Sequence, residues 1–263
     1  MNEEEYRQSG WQVVLTSELR RLWLGRWGPL LLLVFSIFLS VYIVILAADP
    51  EMNVLSQRMI INQTIQVTEL VGIVAVLLLG ADSFSGERDR GSLESLLLTP
   101  VPRGQLVIGK LLALLSLWLG MIPIAIPYIA LVARGTDVAM ASLVLLVIGG
   151  TLLVGLSAAV GVLVSGLSPT NLMSFAFAVG VMLLLVAPTQ LPAGVRDSPI
   201  VDWLVVSNPI TAVDRYQSAV IDGGAWTNGV WLLLSPLIAL ALAFGLGPRF
   251  LNNRLSLHGG FRP

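Results

Sequence analysis

The chain has 263 residues, of which 56% are hydrophobic and only 12% are charged, and its formal net charge is −1. Soluble domains carry about a quarter charged residues, so this composition indicates a membrane protein. The absence of cysteine and the presence of a single histidine, His258, exclude a disulfide framework, a thiolate metal site and most histidine-based catalysis.

An amphipathic pattern precedes the first long apolar run. On one side of it, residues recur at intervals of three and four: Trp11, Val14, Leu15, Glu18, Leu19, Leu22 and Trp23. Arg20 and Arg21 fall on the other side. The spacing predicts a helix over about 8–25, either lying on the membrane surface with its arginines toward the headgroups or packed on a neighbouring helix.

Six segments have the length and apolar character of membrane spans, for which about 20 residues are needed. They are 29–48, 60–84, 106–132, 138–167, 171–189 and 229–250. On the fourth span, Ser157, Gly161 and Ser165 recur one helical turn apart, which is typical of close helix packing.

A long segment, 190–228, separates the last two predicted spans. Asn208 and Pro209 precede a stretch with helical spacing, 210–221. We expect a short helix or a re-entrant hairpin at the outer mouth, with a surface loop as the alternative.

The distribution of basic residues predicts the orientation. With six spans, eleven of the 15 lysines and arginines fall on one side of the membrane. The positive-inside rule places that side, with both termini and the loop 85–103, in the cytoplasm.

The densest polar stretch of the chain, 82–110, lies between the second and third predicted spans. Gly91 interrupts whatever precedes it, Ser92 can cap a helix N-terminus, Glu94 suits a first helical turn, and Pro100 ends the helix. These residues predict a helix of about two turns. Three leucines fall on one face of it: Leu93, Leu96 and Leu97. The loop is either a solvated anchor for two spans or a docking element for a partner protein.

The order of residues in this loop is similar to the signature of ABC-2 type transporter permeases, E-R-x-x-G-(T/S)-L-E-x-L-L-x-x-P, followed by G-K at the next membrane helix. The matching residues are Phe84, Glu87, Arg88, Gly91, Ser92, Leu93, Glu94, Leu96, Leu97, Pro100, Gly109 and Lys110. The chain resembles a compact branch that includes the permeases of nitrous oxide reductase maturation and of gliding motility.

The resemblance implies an all-α polytopic membrane protein with a single transmembrane domain over 1–263, an elbow helix at 8–25 and a cytoplasmic coupling helix within 85–103. It further implies a plasma-membrane exporter subunit that pairs with a second permease subunit and with a cytosolic ABC ATPase dimer, which would hold the ATP and Mg. The lipid bilayer is the other expected partner; no nucleic acid and no cofactor or metal in this chain are expected. The ATPase-docking residues it implies are Glu87, Arg88, Gly91, Ser92, Leu93, Glu94, Leu96, Leu97 and Pro100.

One apparent nucleotide-binding motif is incomplete. Gly104 to Lys110 fits G-x-x-x-x-G-K, but Leu111 stands where the magnesium-binding Ser or Thr is required, and no strand precedes the motif. We therefore expect no ATP binding and no enzymatic activity in this chain.

Asn62, Gln66 and Glu69 lie on one face of the second span. An ionisable residue there needs water, a partner or a lumen, so these three residues are a candidate translocation path. The alternative is that the helix extends beyond the bilayer and Glu69 reaches the surface. A path of this kind would also suit an ion- or proton-coupled secondary transporter, and a non-transporting scaffold that recruits an ATPase is a third possibility.

Pro123 and Pro127 lie one turn apart in the third span, and Pro236 lies in the sixth. Each proline removes a helical hydrogen bond and permits a bend. Pro123 and Pro127 are therefore a candidate hinge, although prolines also occur in static membrane helices.

Overall fold

The computed structural model describes residues 3–48, 57–93, 98, 101–190 and 207–254. Within these ranges the regular structure is helical, and no strand occurs. The α-helices are α1 (Glu3–Leu24), α2 (Trp27–Ala48), α3 (Gln57–Asp82), α4 (Ser85–Asp89), α5 (Arg103–Val132), α6 (Ala139–Leu167), α7 (Asn171–Val186), α8 (Pro209–Ile221) and α9 (Leu234–Arg254).

Four helical segments are long and apolar enough to cross a membrane: Trp27–Ala48, Gln57–Asp89, Arg103–Val132 and Ala139–Leu167. They correspond to the first four predicted spans. The helices at the last two predicted spans, Asn171–Val186 and Val230–Gly245, are apolar but shorter. The described part of the chain is therefore helical throughout its regular structure, and several of its helices have the length and apolar character of membrane spans.

The sixth predicted span begins differently from the prediction. Val230–Leu233 form a 3-10 turn, and α9 starts only at Leu234. Pro236 consequently lies in the first turn of α9, where a missing backbone N–H breaks no helical hydrogen bond. The expected bend at Pro236 has no basis in this arrangement.

The two central helices, α3 and α6, pack closely through small residues, as the fourth-span pattern predicted. A Cβ added to Gly161 would lie 2.6 Å from the carbonyl oxygen of Leu77 and 3.0 Å from the Cα of Gly80. Ser157 and Ser165 are buried as well. The absence of side chains at Gly80 and Gly161 lets the two backbones touch.

Trp118 of α5 fills the space between these two helices. Its ring is fully buried and lies where side chains on Gly72 of α3 and Gly150 of α6 would stand. The indole N–H donates to Thr151 Oγ1 at 3.2 Å. One large ring against two glycines thus joins three helices into one core.

The helix predicted at 210–221 is present as α8, one residue longer at its start. Asn208 caps it, because its side-chain oxygen accepts from the backbone N–H groups of Ile210 at 2.9 Å and Thr211 at 3.3 Å. α8 buries one face against α3, α6 and α7. The structure therefore has a packed helix here in place of a surface loop.

The N-terminal helix α1 packs its predicted apolar side on α5. Val14 is buried, and a Cβ on Gly109 of α5 would lie 2.7 Å from Val14 Cγ1. Arg20 and Arg21 lie on the exposed side. α1 therefore packs on a neighbouring helix, and its position at the membrane surface stays a prediction.

Candidate functional site

Six charged side chains form one connected group where α1, α3, α4 and α5 meet. We call it the ion cluster: Glu18, Arg21, Asp82, Glu87, Arg90 and Lys110. Three of its members are cations and three are carboxylates, so their formal charges cancel. The cluster links the predicted elbow helix to the loop between the second and third spans.

Lys110 is the centre of the ion cluster. Its side chain is only 2% exposed, and its ammonium donates to Glu18 Oε1 at 2.6 Å and to Glu87 Oε1 at 2.7 Å. The ammonium also lies 5.2 Å from the centre of the Phe84 ring, within cation–π range. A buried cation is tolerated because two carboxylates and an aromatic face replace its water.

Two arginines complete the ion cluster on its exposed side. Arg21 contacts Glu87 at 3.2 Å and Asp82 at 3.6 Å, and Arg90 contacts Asp82 at 3.3 Å. Asp82 also accepts from the Asn171 amide at 2.9 Å. The carboxylate at the end of α3 is therefore shared between the elbow, the loop and the start of α7.

Glu87 belongs to α4, a five-residue helix within the loop predicted at 85–103. Ser165 of α6 holds its start, because the hydroxyl oxygen accepts from the backbone N–H of Phe84 at 2.8 Å and of Ser85 at 2.9 Å. Because the capping residue lies some 80 positions away, the local sequence does not predict this helix. Glu87 is consequently buried in the chain, and its carboxylate is engaged with Lys110 and Arg21.

Gly91 ends α4, in agreement with its predicted role as a helix breaker. Its φ is +70°, the Gly91 N–H donates to Arg88 O at 3.0 Å, and the Ser92 N–H donates to Glu87 O at 2.9 Å. This pair of bonds is the Schellman arrangement, in which a residue with positive φ terminates the helix. The loop thus leaves α4 in a fixed direction.

Replacing Gly91 by alanine should destabilise the protein by about 1 kcal/mol, because an L-residue is strained at this φ. No atom lies within 4 Å of the position that a Cβ would take, so the effect is conformational rather than steric. Thermal unfolding in detergent, followed by circular dichroism, measures the change. Gly104→Ala is the control, since Gly104 also has open space but no positive φ. Equal unfolding midpoints for the two variants would contradict the prediction.

α4 is also attached to the next two helices. The Arg88 guanidinium donates to the carbonyl oxygen of Ser168, just after α6, and Asp89 Oδ2 accepts from the backbone N–H of Asn171 at 3.0 Å, where α7 begins. The predicted docking residues Glu87 and Arg88 thus contact α1, α5 and the α6–α7 joint.

Beyond α4 the described part of the loop has both exposed and buried residues. Ser92 is exposed, and Leu98 is 71% exposed. Leu93 is buried and belongs to the main hydrophobic core. The other predicted docking residues lie outside the described residues: Glu94, Leu96, Leu97 and Pro100. The predicted two-turn helix falls largely on these positions and stays a prediction.

The three polar residues of the second span all meet α8. The Asn62 amide donates to Ser218 Oγ at 2.7 Å, Gln66 donates to Asp214 Oδ1, and Gln217 donates to Glu69 Oε1 at 2.7 Å. Sequence reasoning missed their partners because α8 lies about 150 positions away along the chain.

Glu69 of α3 is 3% exposed and lies where α3 packs against α6 and α8. Gly149 of α6 makes room for it, because a Cβ there would lie 3.0 Å from Glu69 Oε1. The Glu69 side chain therefore does not reach the surface, so that alternative is wrong.

Pro123 and Pro127 lie inside α5, which continues through both of them to Val132. Both prolines are on the exposed side of the helix, while Ala125 and Ile129 between and after them are fully buried. The hinge role stays a prediction.

Among the residues that the structure describes, no group of three or more carboxylates or histidines is placed to hold a metal ion.

One protein-family model matches most of the chain. The family model described as "ABC-2 family transporter protein" matches residues 45–255, which include all helices from α3 to α9. No curated protein matches the sequence. The matched segment contains the loop with α4, Lys110 and the polar row of α3, and it covers most of the chain. This protein is therefore a multi-pass membrane protein of the ABC-2 transporter family.

Proposed function

We propose that this chain is the permease subunit of an ABC exporter in the plasma membrane, with both termini and the loop 85–103 in the cytoplasm. Six spans, α2, α3, α5, α6, α7 and α9, would cross the bilayer, and α1 would be the elbow helix. The excess of lysine and arginine at the ends of α1, α4 and α5 supports this orientation. We assign the chain to the compact permease branch on the resemblance of its loop residues.

The attachment of α4 carries this proposal. Ion pairs and hydrogen bonds join α4 to α1, α5 and the α6–α7 joint, whereas Leu98 further along the same loop is exposed. A partner that moves the loop would therefore move several spans together. This is the arrangement that a coupling element between an ATPase and a permease requires.

The proposed ATPase contact has two parts. Ser92 and the loop residues from Glu94 to Pro100, with Leu96 and Leu97 among them, would contact the ATPase surface. Glu87, Arg88 and Gly91 would set the direction of the loop from inside the permease, and Leu93 would anchor its base. α1 would border the same ATPase, because Glu18 and Arg21 share the ion cluster with Glu87.

The ATPase would be a separate cytosolic dimer that supplies ATP, Mg and hydrolysis, and a second permease subunit would complete the transporter. Movement of α4 would reach α5 first, through Lys110. Pro123 and Pro127 lie farther along α5 on its exposed side, so a bend there would displace one half of the helix without breaking the buried contacts of Ala125.

On the outer side, Asn62, Gln66 and Glu69 would form part of the translocation path. In the described state α8 covers all three of them with hydrogen bonds. We infer that α8 is an outer gate, and that the path opens when α8 leaves α3.

The decisive test changes two residues of the loop beyond α4. Leu98→Asp with Glu94→Lys should weaken association with the partner ABC ATPase by about tenfold or more, as expected for charges placed in a docking contact. Co-purification from detergent and permease-dependent ATP hydrolysis are the measurements. Membrane insertion of the variant should be normal.

The matched control is Arg134→Asp, which places a carboxylate at the opposite, exposed end of α5. It should leave ATPase association unchanged. Full association of the double variant would refute the docking surface, and failure of the unmodified chain to bind any ATPase would refute the permease assignment.

A further inference from the structure

A cavity of about 620 Å³ opens beside the ion cluster. Its size falls within the ~300–1,000 Å³ that is typical of small-molecule sites. Five helices contribute to its wall: α1, α2, α3, α5 and α7. One end of the cavity is charged, because Glu18, Arg21, Asp82, Arg90 and Lys110 line it.

The other end of the cavity is apolar. Leu31, Leu78, Leu79 and Phe175 line it, on helices that belong to the apolar spans. Trp27, at the start of α2, also lines the cavity and is exposed. Tryptophan prefers the boundary between hydrocarbon and headgroups, so the cavity lies at the level where both parts of a lipid are found.

The two arginines at the charged end are suited to bind a phosphate group. The side chain of Arg21 is 47% exposed and that of Arg90 is 53% exposed, and both contact the same oxygen, Asp82 Oδ2. A guanidinium has five N–H donors, and the contacts of Arg90 with described residues engage only this carboxylate. The remaining donors of Arg90 can therefore reach a phosphodiester in the cavity, beside the half-exposed Arg21, which also pairs with Glu18 and Glu87.

We propose that this cavity binds one membrane phospholipid, with its phosphodiester on Arg21 and Arg90 and its acyl chains along the apolar wall. A soluble phosphate would leave the apolar wall without a partner, whereas acyl chains bury it. The charges of the ion cluster cancel, so the site recognises the phosphodiester rather than the net charge of the headgroup. This inference concerns the permease alone and does not depend on ATPase docking.

The test uses the full chain in maltoside detergent, stripped of lipid and then titrated with phosphatidylethanolamine, phosphatidylglycerol or inorganic phosphate. Native mass spectrometry gives the stoichiometry, and the shift in thermal unfolding gives the affinity. Arg90→Gln removes one phosphate ligand, and Ala75→Phe fills the apolar wall without changing a charge. Arg134→Gln, at the far end of α5, is the matched control.

One lipid per chain should bind, with affinities for the two phospholipids within about threefold of each other. Arg90→Gln and Ala75→Phe should each weaken binding about tenfold, and Arg134→Gln should not. Binding that is unchanged in both cavity variants would overturn the proposal. Equal stabilisation by inorganic phosphate alone would also overturn it, because the site would then be one for a soluble anion.

Discussion

Replacing Lys110 by methionine is expected to destabilise the protein by about 3–5 kcal/mol, the range for breaking a buried ion pair by removal of one partner. The substitution keeps the length of the side chain but leaves Glu18 and Glu87 without the ammonium that lies 2.6 and 2.7 Å from them. Arg21 is the remaining cation near both carboxylates. Denaturant unfolding in detergent micelles, followed by circular dichroism, measures the change.

Two further variants separate the loss of the pair from the loss of a charge. Glu87→Gln combined with Lys110→Met should recover part of the stability, because the double variant has one fewer uncompensated buried carboxylate. Arg58→Met removes the arginine of the more exposed pair with Asp137, 3.1 Å apart, and should change stability by no more than about 1 kcal/mol. If Lys110→Met and Arg58→Met had the same small effect, Lys110 would not be the centre of the ion cluster.

Replacing Gly161 by alanine is expected to destabilise the protein by about 1–3 kcal/mol, although alanine is the better helix former. The added methyl group would stand 2.6 Å from Leu77 O, 3.0 Å from Gly80 Cα and 3.2 Å from Ala81 N. All three neighbours are backbone atoms, which cannot rotate away, so α3 and α6 must separate. The unfolding midpoint in detergent is the measurement.

Gly180→Ala is the matched control for Gly161, since it makes the same change within α7 where no atom lies within 4 Å. It should be neutral or stabilising by up to about 1 kcal/mol, from helix propensity alone. Similar midpoints for the two variants would show that α3 and α6 do not depend on this close approach.

The spans were predictable because hydrocarbon imposes a simple requirement of length and apolarity on a helix. The segments 29–48, 106–132 and 138–167 are found within three residues of α2, α5 and α6. The start of α9 was less predictable, because the 3-10 turn at Val230–Leu233 has the same apolar composition as the helix that follows.

Within the candidate site, the sequence indicated Glu87 and Lys110 but not their relation to each other. Glu87 resembled a surface residue of a polar loop, and Lys110 a charge at the start of a span. The contact of Lys110 with Glu18 depends on how α1 packs on α5, which in turn depends on Val14 meeting Gly109. Such a contact joins residues 92 positions apart, and periodicity reports only neighbours within one helix.

The sequence by itself determined the class of this protein, its long apolar helices and the helix-breaking role of Gly91. These properties follow from composition and local periodicity, which act over a few residues. The tertiary structure alone decided the burial of Glu87, the cap that Ser165 provides for α4, and the pairing of α3 with α8. It also decided where the cavity lies. Each of these depends on which helix faces come together, because a buried charge or polar group is stable only where a distant residue supplies its partner.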